Sequence, residues 1–171
     1  GHYARARPAY ARDAVGRIDD AIPAGIVLDV GAGTGILTGQ LLRAGSEMVA
    51  VEPLAAMRAQ FARALPIVPV VAARAEALPV QRGAFSGLTF AQAFHWMDHD
   101  RVLIEVRRVL RPGGVLALVW NQRDESVLWV RELTDLIEAR SGGRPYSDHR
   151  EQIWEEIVGT AGGFTHFSTD R

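Results

Sequence analysis

A doubly wound α/β domain, with a mostly parallel sheet and helices on both faces, is the fold class this sequence predicts. Three observations point to it. An apolar run at residues 26–30 gives way to glycines at 31, 33 and 35, then to helical spacing at Ile36, Leu37, Leu41 and Leu42. That is the order of a buried parallel strand, a tight turn and a helix. Short apolar runs and helix-period stretches then alternate down to residue 120, the signature of parallel strands joined by crossover helices. The chain has 171 residues, 48% hydrophobic and 23% charged, the size and makeup of one globular domain with a substantial core.

Composition narrows the function. Net charge is −1, which gives no general attraction to nucleic acid or to membrane surfaces. There is no cysteine, so disulfides and thiolate metal sites are excluded. All 19 basic residues are arginine, which excludes a catalytic lysine. No apolar stretch has the length of a membrane span, and no signal peptide is visible. The expectation is a cytoplasmic protein with no nucleic-acid or membrane partner. The sequence opens Gly1-His2 without an initiator methionine, and both ends are expected to be incomplete.

The elements follow in order. Residues 9–22 read as a helix with Val15, Ile18 and Ile22 on one face, after an arginine-rich start with Pro8 suited to a first turn. The strand at 26–30 and helix at 36–44 end at Gly45, a helix stop. Residues 47–52 form the second strand, stopped by Pro53, and 54–64 the second crossover helix. Residues 67–72 are a third strand. Pro69 donates no ladder hydrogen bond, which predicts an edge position or an irregularity there. Residues 88–92 are the fourth strand, and 98–110 an amphipathic helix with Val102, Leu103, Val106, Val109 and Leu110 on one face. Pro112-Gly113-Gly114 turns the chain into a fifth strand at 115–120. Two helices are expected at about 125–140 and 149–159, and residues 163–167 open a sixth strand.

The turn at 31–35 carries chemistry. Glycine admits positive φ and lets a ligand approach without a Cβ in the way, and the following helix offers free N–H groups and the positive end of its dipole. Glu52 lies nineteen residues beyond Gly33, at the end of the second strand. An acidic residue at about that distance is placed to accept ribose hydroxyls. The nicotinamide fingerprint G-x-G-x-x-G fits at Gly31 and Gly33, but its third glycine is Ile36 here.

Taken together, these segments resemble a known family. Val27-Leu28-Asp29-Val30-Gly31-Ala32-Gly33-Thr34-Gly35 is similar to motif I of class I S-adenosylmethionine-dependent methyltransferases. Val51-Glu52-Pro53 with Met57 resembles their acidic motif II, and Ala75-Glu76-Ala77-Leu78-Pro79 their adenine loop. Ala91-Gln92-Ala93-Phe94-His95-Trp96 resembles motif IV, and Leu110-Arg111-Pro112-Gly113-Gly114 the turn before strand five. The set is most similar to type 11 methyltransferase domains and covers about residues 3–120. Two departures stand out: Phe85-Ser86 where the family often has Phe-Asp, and Arg74 where it often has Asp or Thr.

The resemblance implies S-adenosyl-L-methionine as cofactor, S-adenosyl-L-homocysteine as product and a small-molecule acceptor. It implies that Gly31, Ala32 and Gly33 line the methionine part, that Glu52 holds the ribose hydroxyls, and that Asp29, Thr34 and Pro53 are also among the cofactor-binding residues. Met57, Ala75 and Glu76 border the adenine. Gln92 and Ala93 pass beneath the methionine, and Tyr3 and Arg7 close over its carboxylate. It also implies one methyltransferase domain over 1–171: an N-terminal lid and helix at 1–22, a cofactor-binding core at 23–120, a helical insert or cap at 121–162, and the start of a sixth strand at 163–171. The usual fold ends with a sixth strand and an antiparallel seventh, so the C-terminal strands are expected to be incomplete.

Methyl transfer is an in-line displacement, in which alignment of the reactants can supply roughly 7–11 kcal/mol. A general base matters only if the nucleophile must lose a proton. His95 is the candidate base, by its position at the end of strand four; the other reading is that His95 and Trp96 shape the pocket wall. Trp120 is a further candidate substrate contact. His95, Asp98 and His99 invite a metal reading, but no glutamate or cysteine completes the set, and no metal is expected. Two other functions stay open: a nicotinamide-dependent oxidoreductase, and a binding or regulatory protein that keeps the fold without turnover.

Overall fold

The computed structural model describes residues 8–140, 154–166 and 168–169. Tyr3 and Arg7 lie outside the described residues. The chain divides into two compact units, residues 1–120 and residues 121–171.

The first unit holds a five-stranded parallel sheet in the order β3-β2-β1-β4-β5. Its elements are α1 (Arg12–Ala21), β1 (Ile26–Val30), α2 (Ile36–Ala44), β2 (Glu47–Val51), α3 (Ala55–Ala64), β3 (Val70–Val71), β4 (Phe85–Ala91), α4 (His99–Val109) and β5 (Leu110–Val119). The central strands are buried along nearly their whole length: Val27, Leu28, Val30, Ala50, Val51, Leu88 and Phe90 are all at most 1% exposed. This is why they read as unbroken apolar runs rather than alternating ones.

Four elements of this unit differ from the sequence expectation by two residues or more, each for a local reason. Helix α1 starts at Arg12 rather than at residue 9. The Gln40 side chain accepts from the Tyr10 N–H (3.0 Å) and donates to the Tyr10 carbonyl (2.8 Å), so both backbone groups are committed outside a helix. Strand β3 shrinks to two residues at the sheet edge, the position predicted by Pro69, whose carbonyl still accepts from the Ala50 N–H at 2.9 Å. Strand β4 begins at Phe85, three residues early, because Gly87 is a strand residue: a Cβ there would lie 2.7 Å from Ile22 Cδ1. It ends before Gln92, whose φ of 53° takes it out of the strand. Strand β5 takes its first pairing at Leu110, opposite Phe85, and resumes at Val115 opposite Gly87. The predicted Pro112-Gly113-Gly114 turn is thus an irregularity within the strand.

The second unit contains α5 (Leu128–Arg140) and α6 (Trp154–Thr160). Helix α5 starts later than expected. Asp124 first accepts from the Ser126 N–H and hydroxyl. Leu128, Trp129 and Leu136 of α5 are more than half exposed, while Thr134 is buried. The predicted sixth strand does not form over residues 163–166, which have no regular structure; Phe167 lies outside the described residues. No helix of the described residues is long and apolar enough to cross a membrane.

Candidate active site

The strand order places the site. From β1 the chain winds through β2 to β3 on one side, then crosses to β4 on the other. The crevice at the carboxyl ends of β1 and β4 is therefore the topological switch point, where open α/β sheets bind ligands. Residues 31–35 and 92–97 meet there.

The turn after β1 is held by backbone bonds. The Gly31 and Ala32 N–H groups both donate to the Val51 carbonyl (2.8 and 3.1 Å), and the Gly35 N–H to the Ala32 carbonyl (2.9 Å). Gly31, Gly33 and Gly35 all have positive φ (69°, 59° and 85°). Gly31 is also closely packed, since a Cβ on it would lie 2.8 Å from the Ala93 Cβ. Gly33 is the opposite case: a Cβ there meets nothing within 4 Å among the described residues. The turn is thus closed against protein at Gly31 and open at Gly33.

Glu52 is 5% exposed. Its Oε2 accepts from the Gly33 N–H at 2.9 Å and its Oε1 from the Leu54 N–H at 2.8 Å. A carboxylate offers about four acceptor positions, so two remain beyond these bonds among the described residues. Arg58 braces the same corner by donating to the Glu52 and Pro53 carbonyls (2.8 and 2.7 Å). Leu54, which sequence reading did not single out, stands 59% exposed beside Glu52. Met57 is half-buried on the first turn of α3.

Asp29, the expected cofactor contact, is engaged by two hydroxyls within the fold. It is fully buried. Its two oxygens accept from the Thr38 hydroxyl (2.5 Å) and the Thr89 hydroxyl (2.9 Å). It therefore ties the first turn of α2 to β4 and holds the glycine turn from below. Burial pushes its carboxyl above the usual carboxylate range, against the Thr38 and Thr89 hydrogen bonds that pull it down, with Glu52 adding to the rise. The unfolded chain then gives up this proton near pH 4, before the folded one does, so stability falls as pH rises from there through the folded value. Asp29→Asn should remove that slope. In urea denaturation at pH 5 and pH 8, wild type should lose stability relative to the variant across the interval; equal slopes would exclude this account.

The loop after β3 is fastened to α4. Arg108 donates to the Val80 carbonyl (2.7 Å) and the Leu78 carbonyl (2.8 Å), and Glu105 accepts from the Leu78 N–H (2.7 Å). Burial would raise the Glu76 carboxyl. Its own backbone N–H, Arg74 and the Asp98 backbone N–H outweigh that and hold it below the usual range. Arg74, the departure from the family pattern, thus pairs with Glu76 at 3.3 Å. The Glu76 carboxylate serves the protein's own backbone, and Ala75 is 5% exposed. What this loop offers a ligand is chiefly main chain.

After β4, Gln92 sits at φ 53° with its N–H on the Val119 carbonyl (2.9 Å), and Ala93 lies under Gly31. A single 3₁₀ turn (Phe94–Trp96) follows. His95 Nδ1 accepts from Trp120 Nε1–H at 3.1 Å, and Trp96 is 82% exposed. His99 stacks on Phe94 at 4.7 Å, with Nε2 3.2 Å from the Phe94 carbonyl, and Asp98 caps α4 through the Arg101 N–H. These two side chains work within the fold, and no cluster of potential metal ligands occurs among the described residues.

The structure thus brings together Gly31, Gly33, Glu52, Ala93 and, by a second bond, His95 and Trp120. It adds Thr38, Thr89 and Arg108, which sequence reading missed. Thr89 lies opposite Asp29 in the β1–β4 register, a pairing that no local pattern reveals.

Comparison with known proteins agrees with this geometry. A family model described as a methyltransferase domain matches residues 28–118. An uncharacterized methyltransferase of Mycobacterium tuberculosis (strain ATCC 25618 / H37Rv) is 46% identical over 139 residues, covering 80% of this chain and 56% of that protein. The chain therefore spans about half the length of the curated relatives it matches. The solved structure of a proposed type II methyltransferase from Anaeromyxobacter dehalogenans superposes with a TM-score of 0.67 at 32% identity, over 82% of this chain and 66% of that one. A glycopeptide N-methyltransferase solved with S-adenosyl-L-methionine shares the fold (TM-score 0.58, 23% identity, 64% of this chain and 54% of that one). With more than half of its length matched, and the parallel sheet and glycine turn in place, this chain belongs to the type 11 methyltransferase domain family.

Proposed function

We propose that the chain binds S-adenosyl-L-methionine and transfers its methyl group to a small-molecule acceptor. The observation that carries the reading is Glu52: a buried carboxylate whose bonds to Gly33 and Leu54 leave two acceptor positions beside an uncovered glycine. That arrangement suits the vicinal hydroxyls of a ribose laid across the turn. S-adenosyl-L-methionine supplies a methyl group already activated on a sulfonium. The protein's task is then to bind, orient and exclude water, for which alignment alone can supply roughly 7–11 kcal/mol.

In this reading Gly31, Ala32, Gly33 and Thr34 receive the methionine part, with Gln92 and Ala93 beneath it. Pro53, Leu54, Met57 and the main chain at Ala75 and Glu76 receive the adenine side. His95, Trp96 and Trp120 border the acceptor. Ile36, the first residue of α2, occupies the place of the third nicotinamide-fingerprint glycine, which disfavours the oxidoreductase reading.

Calorimetry with S-adenosylhomocysteine, against reduced nicotinamide dinucleotides as comparison, tests the proposal. Micromolar or tighter binding of the former, with none of the latter, is the expected result. Binding of the nicotinamide dinucleotides alone would overturn it.

A further inference from the structure

Trp96 is 82% exposed on a turn that is otherwise tied down. Its N–H donates to the Ala93 carbonyl, and the Met97 N–H to the Phe94 carbonyl, both at 3.1 Å. Phe94 is fully buried, and Asp98 caps α4 directly afterwards through the Arg101 N–H. Both ends of the turn rest on Gly31: a Cβ there would lie 2.8 Å from the Ala93 Cβ and 3.4 Å from the Met97 Cε. The Trp96 Cα is thus one peptide, about 3.8 Å, from a residue that reaches the turn assigned to the methionine part of the cofactor. The His95 ring lies against the indole with centroids 4.8 Å apart, tilted by 46°. Most of the indole surface is nonetheless left uncovered. Single exposed apolar residues are ordinary on a protein surface. This one differs in its fixed backbone and its place at the switch-point crevice.

We propose that Trp96 is the platform on which the acceptor lies, and that the acceptor is a planar conjugated ring stacked on the indole. This deepens the methyltransferase reading and rests on it. Indole faces attract flat π-systems and cations. An ammonium has no lone pair with which to attack a sulfonium, so the flat ring is the class that suits a methyl acceptor. A rigid plane against a fixed plane also holds the ring's nucleophilic atom in one direction, the alignment that in-line displacement requires. Because the turn is already ordered, stacking removes indole surface from water with little backbone left to order.

The test compares 2-naphthol with trans-2-decalol, which has the same carbon skeleton and hydroxyl group but is saturated and puckered. Calorimetry gives both affinities for the full chain, with and without S-adenosylhomocysteine. Wild type should prefer 2-naphthol. Trp96→Ala should weaken 2-naphthol by about fivefold or more, the range in which one stacked ring counts, and bring the pair to parity. Trp96→Leu, which keeps apolar bulk without a flat face, should do the same, and Trp96→Phe should retain the preference. Melting curves check that the variants are folded, as expected at so exposed a position. No detectable binding of 2-naphthol, equal affinity for the pair in wild type, or a preference that survives in Trp96→Ala and Trp96→Leu overturns the proposal. Failure of S-adenosylhomocysteine to bind counts against the cofactor reading, and loss of the ring preference against the platform, so the two failures are distinguishable.

Discussion

Glu52→Gln is expected to weaken S-adenosylhomocysteine binding by about 100-fold or more. The carboxylate accepts from Gly33 and Leu54, and the proposed site uses its two other acceptor positions for a ribose. Glutamine retains one oxygen and turns the other position into a donor. That donor faces either the Gly33 N–H or the Leu54 N–H, so one good bond is lost and one pair of donors is opposed whichever way the amide turns. Hydrogen bonds to a charged group contribute roughly 1.5–3 kcal/mol each, and each 1.4 kcal/mol is about tenfold in affinity. Two disturbed bonds therefore reach about 100-fold. Calorimetry checks the affinity, and a melting curve checks that the variant is folded. A folded variant that binds within threefold of wild type would remove Glu52 from the site.

Gly31→Ala and Gly33→Ala should separate stability from binding. At Gly31 two costs add. The positive φ costs an alanine roughly 1–2 kcal/mol. The new methyl group would also sit 2.8 Å from the Ala93 Cβ, which is fixed to backbone and has no rotamer to yield; overpacking of this kind typically costs about 1–3 kcal/mol. For a domain of this size each kcal/mol moves Tm by roughly 2–4 °C, so Gly31→Ala should melt roughly 10 °C lower. At Gly33 only the backbone cost applies, since the methyl group meets no atom of the described residues within 4 Å, and Tm should fall by only a few degrees. The methyl group would nonetheless occupy the space assigned to the ligand. Gly33→Ala should therefore stay folded and lose S-adenosylhomocysteine binding. Equal melting losses in the two variants would contradict the packing difference.

How much of this was legible in the sequence depended on range. The β1–turn–α2 unit and the edge position of β3 could be read from apolar runs, three glycines and Pro69, because each is set by neighbours in the chain. The reach of β4 back to Phe85 could not. Gly87 reads as a breaker until Ile22 is known to lie against it. The partners of Asp29 could not be read either. Motif resemblance placed it with the ligand, whereas Thr38 and Thr89 enclose it. Thr89 becomes a partner only through the β1–β4 register. Glu52 was legible because its distance from Gly33 is a chain property. The pairing of His95 with Trp120 was not, because it depends on which strands end side by side.

The fastening of the loop at residues 74–80 has a mechanical consequence. Arg108 and Glu105 grip its far end from α4, while the Asp98 backbone N–H grips Glu76 at the helix's beginning. The same helix continues from the turn that carries His95 and Trp96. Helix α4 is thus a crossbar between the side of the crevice assigned to the adenine and the side assigned to the acceptor. A tilt of this bar displaces both ends together.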